Sequence, residues 1–397
     1  MTVRSERRAW TTVALGTMGS ALPVFLTGAL GVQLRDDLGF SATQIGLAMG
    51  ASFTFAAVMS APMGRLAQRL GPRRGFQSGL TASALSMLVI AGFARSFWSF
   101  CMVLAVAGVA NSLNQPSANL LLTTHIGRPR LGFALATKQS GMPAAALLGG
   151  VAVPAVALTL GWQWAYVFAA MVAIFAIACL PPDAEPVGAV WAPGAGRSRP
   201  DLGVPLLLLY AAVGLLGATS AGAMVGFITG GAEASGLGPG AAGLVLSLGS
   251  AVGVISRLIQ GWQVDHRGVL PIQRLVWLFA LGGLGVLLLA VDVPATYLIA
   301  PIPAFAFGWA WPGLFNLSVI RNNPSAPASA TGISQVGVFA GAALGPSLGG
   351  IIVDTAGYRA LWLFAASTLL TGSLIAVYLR TRIKANRLRN DEALELR

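Results

Sequence analysis

Charged residues are scarce in this chain of 397 residues, and acidic residues are scarcer than basic ones. Only 10% of the residues are charged, against roughly 25% in soluble globular proteins. Hydrophobic residues make up 55% of the chain, and the mean hydropathy is +0.74. Because the charges form short clusters between long apolar runs, the pattern excludes an ordinary soluble domain and is typical of a chain that crosses a membrane many times.

Residues that build metal sites and disulfide frameworks are also rare. The only cysteines are Cys101 and Cys179, which the topology below places towards opposite membrane faces, too far apart for a disulfide. The two histidines, His125 and His266, lie at predicted helix ends. No metal cluster, nucleophile–base pair or phosphate loop is recognisable. We therefore expect no enzyme and predict no metal, no cofactor and no catalytic residue.

The thirteen acidic residues all fall in predicted loops, tails or helix ends. Proton relays inside membranes normally use a buried Asp, Glu or His, and sites for organic cations commonly need a buried acid. For a polar site deep in the membrane, an anion is therefore the ligand that needs the fewest further assumptions. The net charge of +12 does not point to nucleic acid, because the arginines are not gathered on one surface.

Long apolar segments dominate the sequence, and a transmembrane helix needs about 20 such residues. Twelve segments qualify, separated by Gly, Pro and charge: residues 10–34, 42–64, 76–94, 97–123, 132–156, 162–180, 203–230, 239–261, 274–291, 294–320, 331–354 and 358–380. The first is too long for the apolar core of a signal peptide, so we interpret it as a retained helix. The sequence thus predicts an all-α polytopic membrane protein with twelve transmembrane helices.

The basic residues support this count. With both termini cytoplasmic, the outer loops hold only Arg35, Arg95 and Arg359, the membrane holds Lys138 and Arg257, and the other twenty face the cytoplasm. This is the positive-inside pattern, so we expect a multi-pass protein of the cell (plasma) membrane. A stretch rich in Pro and Gly divides it into a six-helix bundle (1–180), a cytoplasmic linker (181–202), a second six-helix bundle (203–380) and a cytoplasmic tail (381–397).

The two halves repeat each other at an offset of 196 or 197 residues. Residues 161–170 (GWQWAYVFAA) resemble residues 357–366 (GYRALWLFAA), and residues 64–71 (GRLAQRLG) resemble residues 261–268 (GWQVDHRG). Such duplication implies two pseudo-symmetric bundles related by an axis along the membrane normal. A site then lies between them near mid-membrane.

The 64–71 loop resembles the major facilitator superfamily signature G-x-x-x-D-R-x-G, carried by Gly64, Arg69 and Gly71, although Gln68 occupies the Asp position. The matching loop of the second half has Gly261, Asp265, Arg267 and Gly268, with His266 in the usual Arg position. The resemblance implies that these loops latch a cytoplasmic gate through a carboxylate–arginine contact. Asp265 has the group for this, whereas Gln68 can only hydrogen-bond. The equal alternative is that both loops are simple tight turns.

A second sequence motif of the same superfamily bears on the direction of transport. Residues 341–350 spell G-x-x-x-G-P-x-x-G-G and include Gly345 and Pro346, which we assign to gating. The superfamily's exporters carry this string on helix 5, whereas here it lies on helix 11. It favours a drug or metabolite exporter as an alternative function.

Lys138 and Arg257 are the only charges predicted within the membrane. A lone ammonium there costs roughly 2.5–3.5 kcal/mol on insertion scales. Lys138 lies ~10 Å into helix 5 and Arg257 ~12 Å from the end of helix 8, at similar depths. The family resemblance places these helices opposite each other. Arg257 and Gly261 also match the R-x-x-x-G pattern of the monocarboxylate and oxalate/formate branches, where the arginine meets a substrate carboxylate.

Simpler roles remain open for both cations. Arg257 can extend to the cytoplasmic interface, and Lys138 can pair with carbonyl groups at helix ends. Amides predicted to line the same cavity are Asn111, Gln115, Asn119, Gln139, Asn316 and Gln335. The first three are spaced by four and share one helix face, which serves equally well to join helices. Trp309 and Trp311 are candidates to cover an apolar part of a substrate.

The sequence therefore predicts a secondary active transporter that moves a small organic anion, foremost a carboxylate, by alternating access. We expect a symporter or antiporter that works as a monomer, with a coupled proton or counter-anion. Two alternatives remain: the drug or metabolite exporter, and a membrane sensor that binds its ligand without moving it.

Overall fold

The computed structural model describes residues 3–126, 134, 137–181, 200–267 and 270–395, and it describes their side chains except at 3–5, 264, 265, 267, 327, 328 and 387–395. Helices form all regular elements in these ranges. We number them α1 Val3–Ala29, α2 Gly31–Leu38, α3 Ala42–Gly92, α4 Phe97–His125, α5 Gly141–Ala152, α6 Leu158–Leu160, α7 Trp162–Ala178, α8 Val204–Ala234, α9 Pro239–Arg267, α10 Pro271–Leu289, α11 Pro294–Ile299, α12 Pro301–Gly308, α13 Pro312–Arg321 and α14 Pro327–Glu395. A π-helical turn, Val153–Ala157, joins α5 to α6.

The two longest helices each contain two arms that meet at one glycine. α3 has 51 residues with Gly71 at φ 79° and ψ 169°, and α14 has 69 residues with Gly357 at φ 79° and ψ 177°. Glycine adopts this positive φ without the penalty that a Cβ imposes. The chain reverses there: a Cβ on Gly75, after the α3 break, would lie 3.5 Å from the Cα of Ala67, before it.

The first half of the chain has a matching reversal. Gly161, 196 residues before Gly357, has φ 98° and ψ 152° and separates α6 from α7. In both places the next residue is a large aromatic, Trp162 or Tyr358. The sequence repeat at this offset therefore corresponds to a repeated change of chain direction.

Eight helical stretches of the described chain are long and apolar enough to cross a membrane. Large apolar side chains point outward from them: Phe93 is 80% exposed, Trp98 73% and Leu374 71%. A surface with this much exposed apolar area requires lipid around it, and helices satisfy their own backbone hydrogen bonds there. The protein is thus a polytopic all-α membrane protein.

Two predicted helices are less regular than the sequence indicated. The predicted helix 294–320 is divided into α11, α12 and α13, and the predicted helix 132–156 ends in the π-helical turn around Pro154. Residues 132, 133, 135 and 136 of the latter lie outside the described residues. Proline causes both departures, because it lacks an N–H and its ring clashes with the preceding turn. The division at 309–311 leaves a carbonyl that the site uses.

The two halves of the chain (3–181 and 200–395) pack closely at one end of the molecule. We call it the far end; it contains the connections at 38–42, 92–97, 160–162, 234–239 and 289–294 and the reversal at Gly357. A Cβ on Gly46 would overlap the carbonyl oxygen of Pro346, and a Cβ on Gly243 would lie 2.7 Å from the carbonyl oxygen of Gly150. Gly46 and Gly243 are 197 residues apart, and Gly150 and Pro346 are 196 apart, so equivalent residues make both contacts.

The opposite end is open. We call it the termini end; it contains the first and last described residues, the reversal at Gly71, the connection at 321–327, and the described residues next to the gaps after 126, 181 and 267. Cβ atoms built on Gly64, Gly261 or Gly332 would meet no neighbouring element within 4 Å. The glycines that touch the other half lie towards the far end, among them Gly28, Gly46, Gly50, Gly150, Gly240 and Gly350. Over the described residues, the halves therefore touch towards the far end and are separated at the termini end.

Candidate functional site

Arg257 on α9 connects the two halves through carbonyl oxygens. Its Nε and Nη2 donate to the backbone oxygen of Trp309, at 3.1 and 2.8 Å. Its Nη1 donates to the backbone oxygen of Gln139, at 3.1 Å. The guanidinium carbon lies 5.2 Å from the centroid of the Trp309 ring, within range for a cation–π contact. The break between α12 and α13 leaves the Trp309 carbonyl free for this double hydrogen bond.

Lys138 is 5% exposed and bonds to α4. Its Nζ donates to Asn119 Oδ1 at 2.7 Å and to the backbone oxygen of Gln115 at 3.1 Å. These partners, like those of Arg257, are uncharged oxygens. Among the described residues, no carboxylate contacts either cation. Each basic side chain is therefore hydrogen-bonded to uncharged oxygens and has no carboxylate partner in the described part of the chain.

Arg257 is linked to the residue that follows Lys138. The carbonyl of Gln139 accepts from Arg257, whereas the Lys138 side chain bonds to α4. The Gln139 side chain itself is exposed, and only its backbone takes part in this contact. Arg257 therefore reaches the turn that carries Lys138 from the other half, and each basic group keeps its own hydrogen-bond partners; a binding site shared by the two stays a prediction.

The amide stripe of α4 continues the site along the first half. Asn111 Oδ1 lies 3.3 Å from Gln115 Nε2 and 3.2 Å from Ser20 Oγ. With Asn119 on Lys138, the three residues spaced by four share one hydrogen-bonded face. Asn111 also lines a small pocket within the first half, whose wall comes from α1, α3, α4 and α5: Ser20, Ala21, Val24, Phe25, Ser52, Phe53, Ala56, Ala107, Asn111 and Met142.

The amides predicted for the second half form a separate pair. Gln335 Nε2 on α14 donates to Asn316 Oδ1 on α13 at 2.7 Å. In the described part of the chain, no hydrogen bond links this pair to Arg257 or Lys138. These two residues are therefore joined to each other and not to the cation site.

The two candidate tryptophans have different surroundings. The Trp309 ring packs edge-on against Phe25 of the first half, with centroids 5.9 Å apart, and against Phe305. Trp311 is 2% exposed and packs between Phe279 and Phe315 in the core of the second half. The expectation that Trp311 covers a substrate is wrong, because its ring is enclosed by its own half.

The residues assigned to gating fall into two groups. At the termini end, Gln68 and Arg69 are exposed and the Cβ positions of Gly64 and Gly261 are open, while the side chains of Asp265 and Arg267 lie outside the described residues. Near the far end, Gly345 and Pro346 are tightly packed: a Cβ on Gly345 would overlap the Thr219 oxygen, and a Cβ on Gly222 would lie 2.7 Å from Pro346 Cδ. Pro346 also meets Gly46 of the first half.

Sequence reasoning missed a polar contact at the far end. Asp354 on α14 accepts hydrogen bonds from the backbone N–H of Ala42 and of Thr43, the first residues of α3. Nearby, Arg35 Nη1 lies 3.4 Å from the Tyr358 hydroxyl. Ser41 and Gln44 form a capping box, which is recognisable in sequence as a helix start. No sequence pattern indicated that a carboxylate more than 300 residues away would reach that helix start.

Apolar helices that enclose a site between two halves of one chain define a polytopic membrane protein of the transporter class. A family model described as Major Facilitator Superfamily matches residues 13–322, and the chain belongs to that superfamily. The resemblance found in the loop signature is thereby confirmed. The superfamily is one of membrane transporters and not of enzymes.

Several curated relatives carry the name multidrug resistance protein MdtG. The protein of Rahnella sp. (strain Y9602) is 35% identical over 131 residues, 32% of this chain and 30% of the relative. That of Klebsiella pneumoniae (strain 342) is 35% identical over 144 residues, 33% of this chain and 34% of the relative. That of Escherichia coli (strain K12 / DH10B) is 34% identical over 146 residues, 33% of this chain and 35% of the relative. The chain spans about a third of the length of these relatives.

Proposed function

We propose that this protein is a secondary active transporter that exports small amphipathic organic compounds by alternating access. The observation that carries the proposal is the site between the halves, where apolar walls surround a few polar groups. Sites of this kind bind compounds with an apolar body and one or two polar groups. The relatives named multidrug resistance protein support this drug-exporter reading over the carboxylate reading.

The lining of the pocket in the first half supports a broad substrate range. Phe25, Phe53 and Met142 provide apolar and polarisable surface, and the Trp309 ring adjoins Phe25. Met and aromatic side chains adapt to ligands of different shapes, which is a property of promiscuous sites. Asn111 and Ser20 add hydrogen-bonding groups on the same wall.

The proposal includes twelve membrane spans in two pseudo-symmetric six-helix bundles, residues 1–180 and 203–380. The count follows if α3 and α14 each cross twice, if α7 crosses with its 17 residues, and if α11–α13 together cross once, in addition to the other apolar helices. We place the linker 181–202, the tail 381–397 and both termini in the cytoplasm and the protein in the plasma membrane. It works there as a monomer in the lipid bilayer, coupled to a proton or a counter-anion.

A second candidate is transport of a small organic anion, and the hydrogen bonding of Lys138 and Arg257 favours it. A carboxylate binds a guanidinium through two parallel charge-assisted hydrogen bonds, which are stronger than bonds to neutral carbonyls. An incoming anion can therefore displace the carbonyl of Trp309 or Gln139 from Arg257. An exporter of amphipathic acids would combine the two candidate functions.

Reconstitution tests both candidates. Inverted membrane vesicles that contain the protein are offered three labelled compounds with the same apolar body and a cationic, neutral or anionic head group. Export predicts accumulation inside the vesicles, and the two cations predict the order anionic, neutral, cationic. Counterflow of simple carboxylates without any movement of the amphipathic compounds would favour the second candidate. Binding without movement of any compound would contradict both and leave a membrane sensor.

A further inference from the structure

A carboxylate of the second half caps a helix of the first half at the far end. Asp354 Oδ1 accepts from the N–H of Ala42 at 3.1 Å, and Oδ2 accepts from the N–H of Thr43 at 2.7 Å. The first four N–H groups of a helix have no acceptor within their own helical ladder. In α3 the other two are satisfied by the capping box, in which the Gln44 N–H donates to Ser41 Oγ and the Ser41 N–H donates to Gln44 Oε1. Asp354 therefore completes a set of four.

The bonds to Asp354 are strong for their type. The N-terminus of a helix carries a partial positive charge, and a carboxylate there is stabilised by the helix dipole as well as by hydrogen bonds. Two other polar contacts join the halves on this side: Arg35 lies 3.4 Å from the Tyr358 hydroxyl, and Ser247 Oγ donates to the Leu147 carbonyl at 2.9 Å. Among these described contacts, that of Asp354 has a full negative charge on the acceptor.

Close backbone packing continues from this cap into the membrane. A Cβ on Gly350, one turn before Asp354, would overlap the carbonyl oxygen of Ala42. Deeper along the same helices, Gly46 meets Pro346, and Gly50 meets Ser347. Any opening at the far end separates α3 from α14 along this whole contact. That opening must therefore break both hydrogen bonds of Asp354.

We propose that Asp354 is the latch of the far-end gate. It is a positioning residue: it touches no substrate, but it stabilises the conformation that is closed at the far end and must release the N-terminus of α3 before the site opens there. This inference rests on the proposed transport function, since far-end opening is a step of alternating access. Water satisfies the released N–H groups and the free carboxylate in the open conformation.

The test measures the far-end gate directly. Spin labels are attached to cysteines that replace Trp98 at the start of α4 and Val291 after α10, two exposed far-end positions in different halves, with Cys101 and Cys179 changed to serine. Pulsed electron resonance then gives the distance distribution without substrate. Asp354→Asn should increase the ratio of long-distance to short-distance molecules about tenfold, which corresponds to about 1.4 kcal/mol. The amide keeps the shape but loses the charge and one acceptor.

Matched variants separate the latch from a general effect of charge or folding. Asp37→Asn removes another exposed far-end acid and should leave the distribution unchanged. Asp354→Glu keeps the charge and should retain more of the short-distance population than Asp354→Asn, so the comparison stands even if the asparagine variant folds poorly. A lower melting temperature with an unchanged distribution in both Asp354 variants would overturn the proposal. A shifted distribution in a protein that exports none of the three compounds would retain the latch and reject the proposed function.

Discussion

At the scale of single residues, the character of the site depends on how its two cations are held. Arg257 and Lys138 donate to carbonyl and amide oxygens, so each is hydrogen-bonded to uncharged partners. The alternative for Lys138 was pairing with carbonyl groups at helix ends, whereas the one backbone carbonyl that it contacts, that of Gln115, lies inside α4. Such a pairing does not exclude ligand binding, because a neutral oxygen is a weaker partner than an anion.

The first prediction concerns charge at the site. Lys138→Ala or Arg257→Ala should each weaken binding of an anionic ligand by roughly 10- to 150-fold, the equivalent of about 1.5–3 kcal/mol for a charged hydrogen bond. Arg257→Lys should remain impaired, because an ammonium does not reproduce the planar fork. Titration calorimetry on purified protein measures the affinities. Lys384→Ala, which alters the other lysine of the chain at an exposed position, is the control. Wild-type affinity in both alanine variants would show that the two cations are structural.

The second prediction separates the two neighbouring tryptophans. Trp309→Ala should reduce export and ligand affinity, because its ring lies at the contact between Arg257 and Phe25. Trp311→Ala should lower the free energy of unfolding by about 3–5 kcal/mol through the cavity that it leaves. Vesicle transport and thermal melting of the same preparations measure the two effects. If Trp311→Ala lost transport but kept full stability, Trp311 would belong to the substrate site.

At the scale of helices, most of what the sequence predicts is local. Apolar length, capping residues and Gly or Pro positions predict where each helix runs and where the chain reverses, as at Gly161 and Gly357. The breaks around Trp309 and Pro154 were not predicted, because apolar length does not register a change in backbone hydrogen bonding. The Trp309 carbonyl, and with it the position of the Arg257 side chain, was therefore not predictable.

The contact between α3 and α14 leads to a prediction about packing. In Gly46→Ala the new Cβ would overlap the carbonyl oxygen of Pro346, so the helices must move apart and the far end should open more often. Overpacking of this kind costs about 1–3 kcal/mol. Gly332→Ala is the control. Gly332 lies on α14, the helix that carries Pro346, and its new Cβ would meet no neighbouring element within 4 Å. Far-end spin-label distances measure both. Equal distributions in the two variants would mean that this contact does not hold the gate.

The start of the second half depends on a polar junction outside the membrane spans. Two hydrogen bonds from Ser325, N–H at 2.9 Å and Oγ at 2.7 Å, keep the pKa of Asp201 below its usual value. A lowered pKa in the folded state stabilises the fold above the usual pKa of about 3.9, and this contribution is lost as the pH falls through the lowered value. Asp201→Asn should therefore lower the melting temperature near neutral pH and cease to do so in acid. A difference that does not change with pH would refute this role.

A buried hydrogen bond at the same junction should matter more. Asn323 is fully buried, accepts from the N–H of Leu202 at 2.9 Å and donates to the Val319 oxygen at 2.9 Å. Asn323→Ala leaves a buried N–H without a partner, which costs about 1–3 kcal/mol. Melting curves should rank Asn323→Ala as less stable than Ser325→Ala, because Ser325 is exposed. The reverse order would show that the exposed bonds dominate.

At the scale of the whole molecule, the repeat predicted more than the individual motifs did. Its offset relates the reversals at Gly161 and Gly357 and the glycine contacts at Gly46 and Gly243. The closed end was not predictable, since the two conformations of an alternating transporter differ by a few kcal/mol summed over many contacts. The loop signature predicts a latch at the termini end, and this stays a prediction because the side chains of Asp265 and Arg267 lie outside the described residues. The described side chains show a polar link at the far end, through Asp354, that the signature did not indicate.

Orientation in the membrane is the last prediction, and it rests on charge alone. The termini end holds twenty of the basic residues in our topology and the far end only Arg35, Arg95 and Arg359, so the termini end should face the cytoplasm. On a cysteine-free background, a membrane-impermeant maleimide added outside intact cells should label Val291→Cys, which is exposed at the far end, and should not label Val190→Cys in the linker until the cells are permeabilised. With this orientation, the structure is open towards the cytoplasm, the side from which an exporter takes its substrate. Labelling of Val190→Cys in intact cells would show that the topology is the reverse of our prediction. The open end would then receive substrate from outside, as an importer requires.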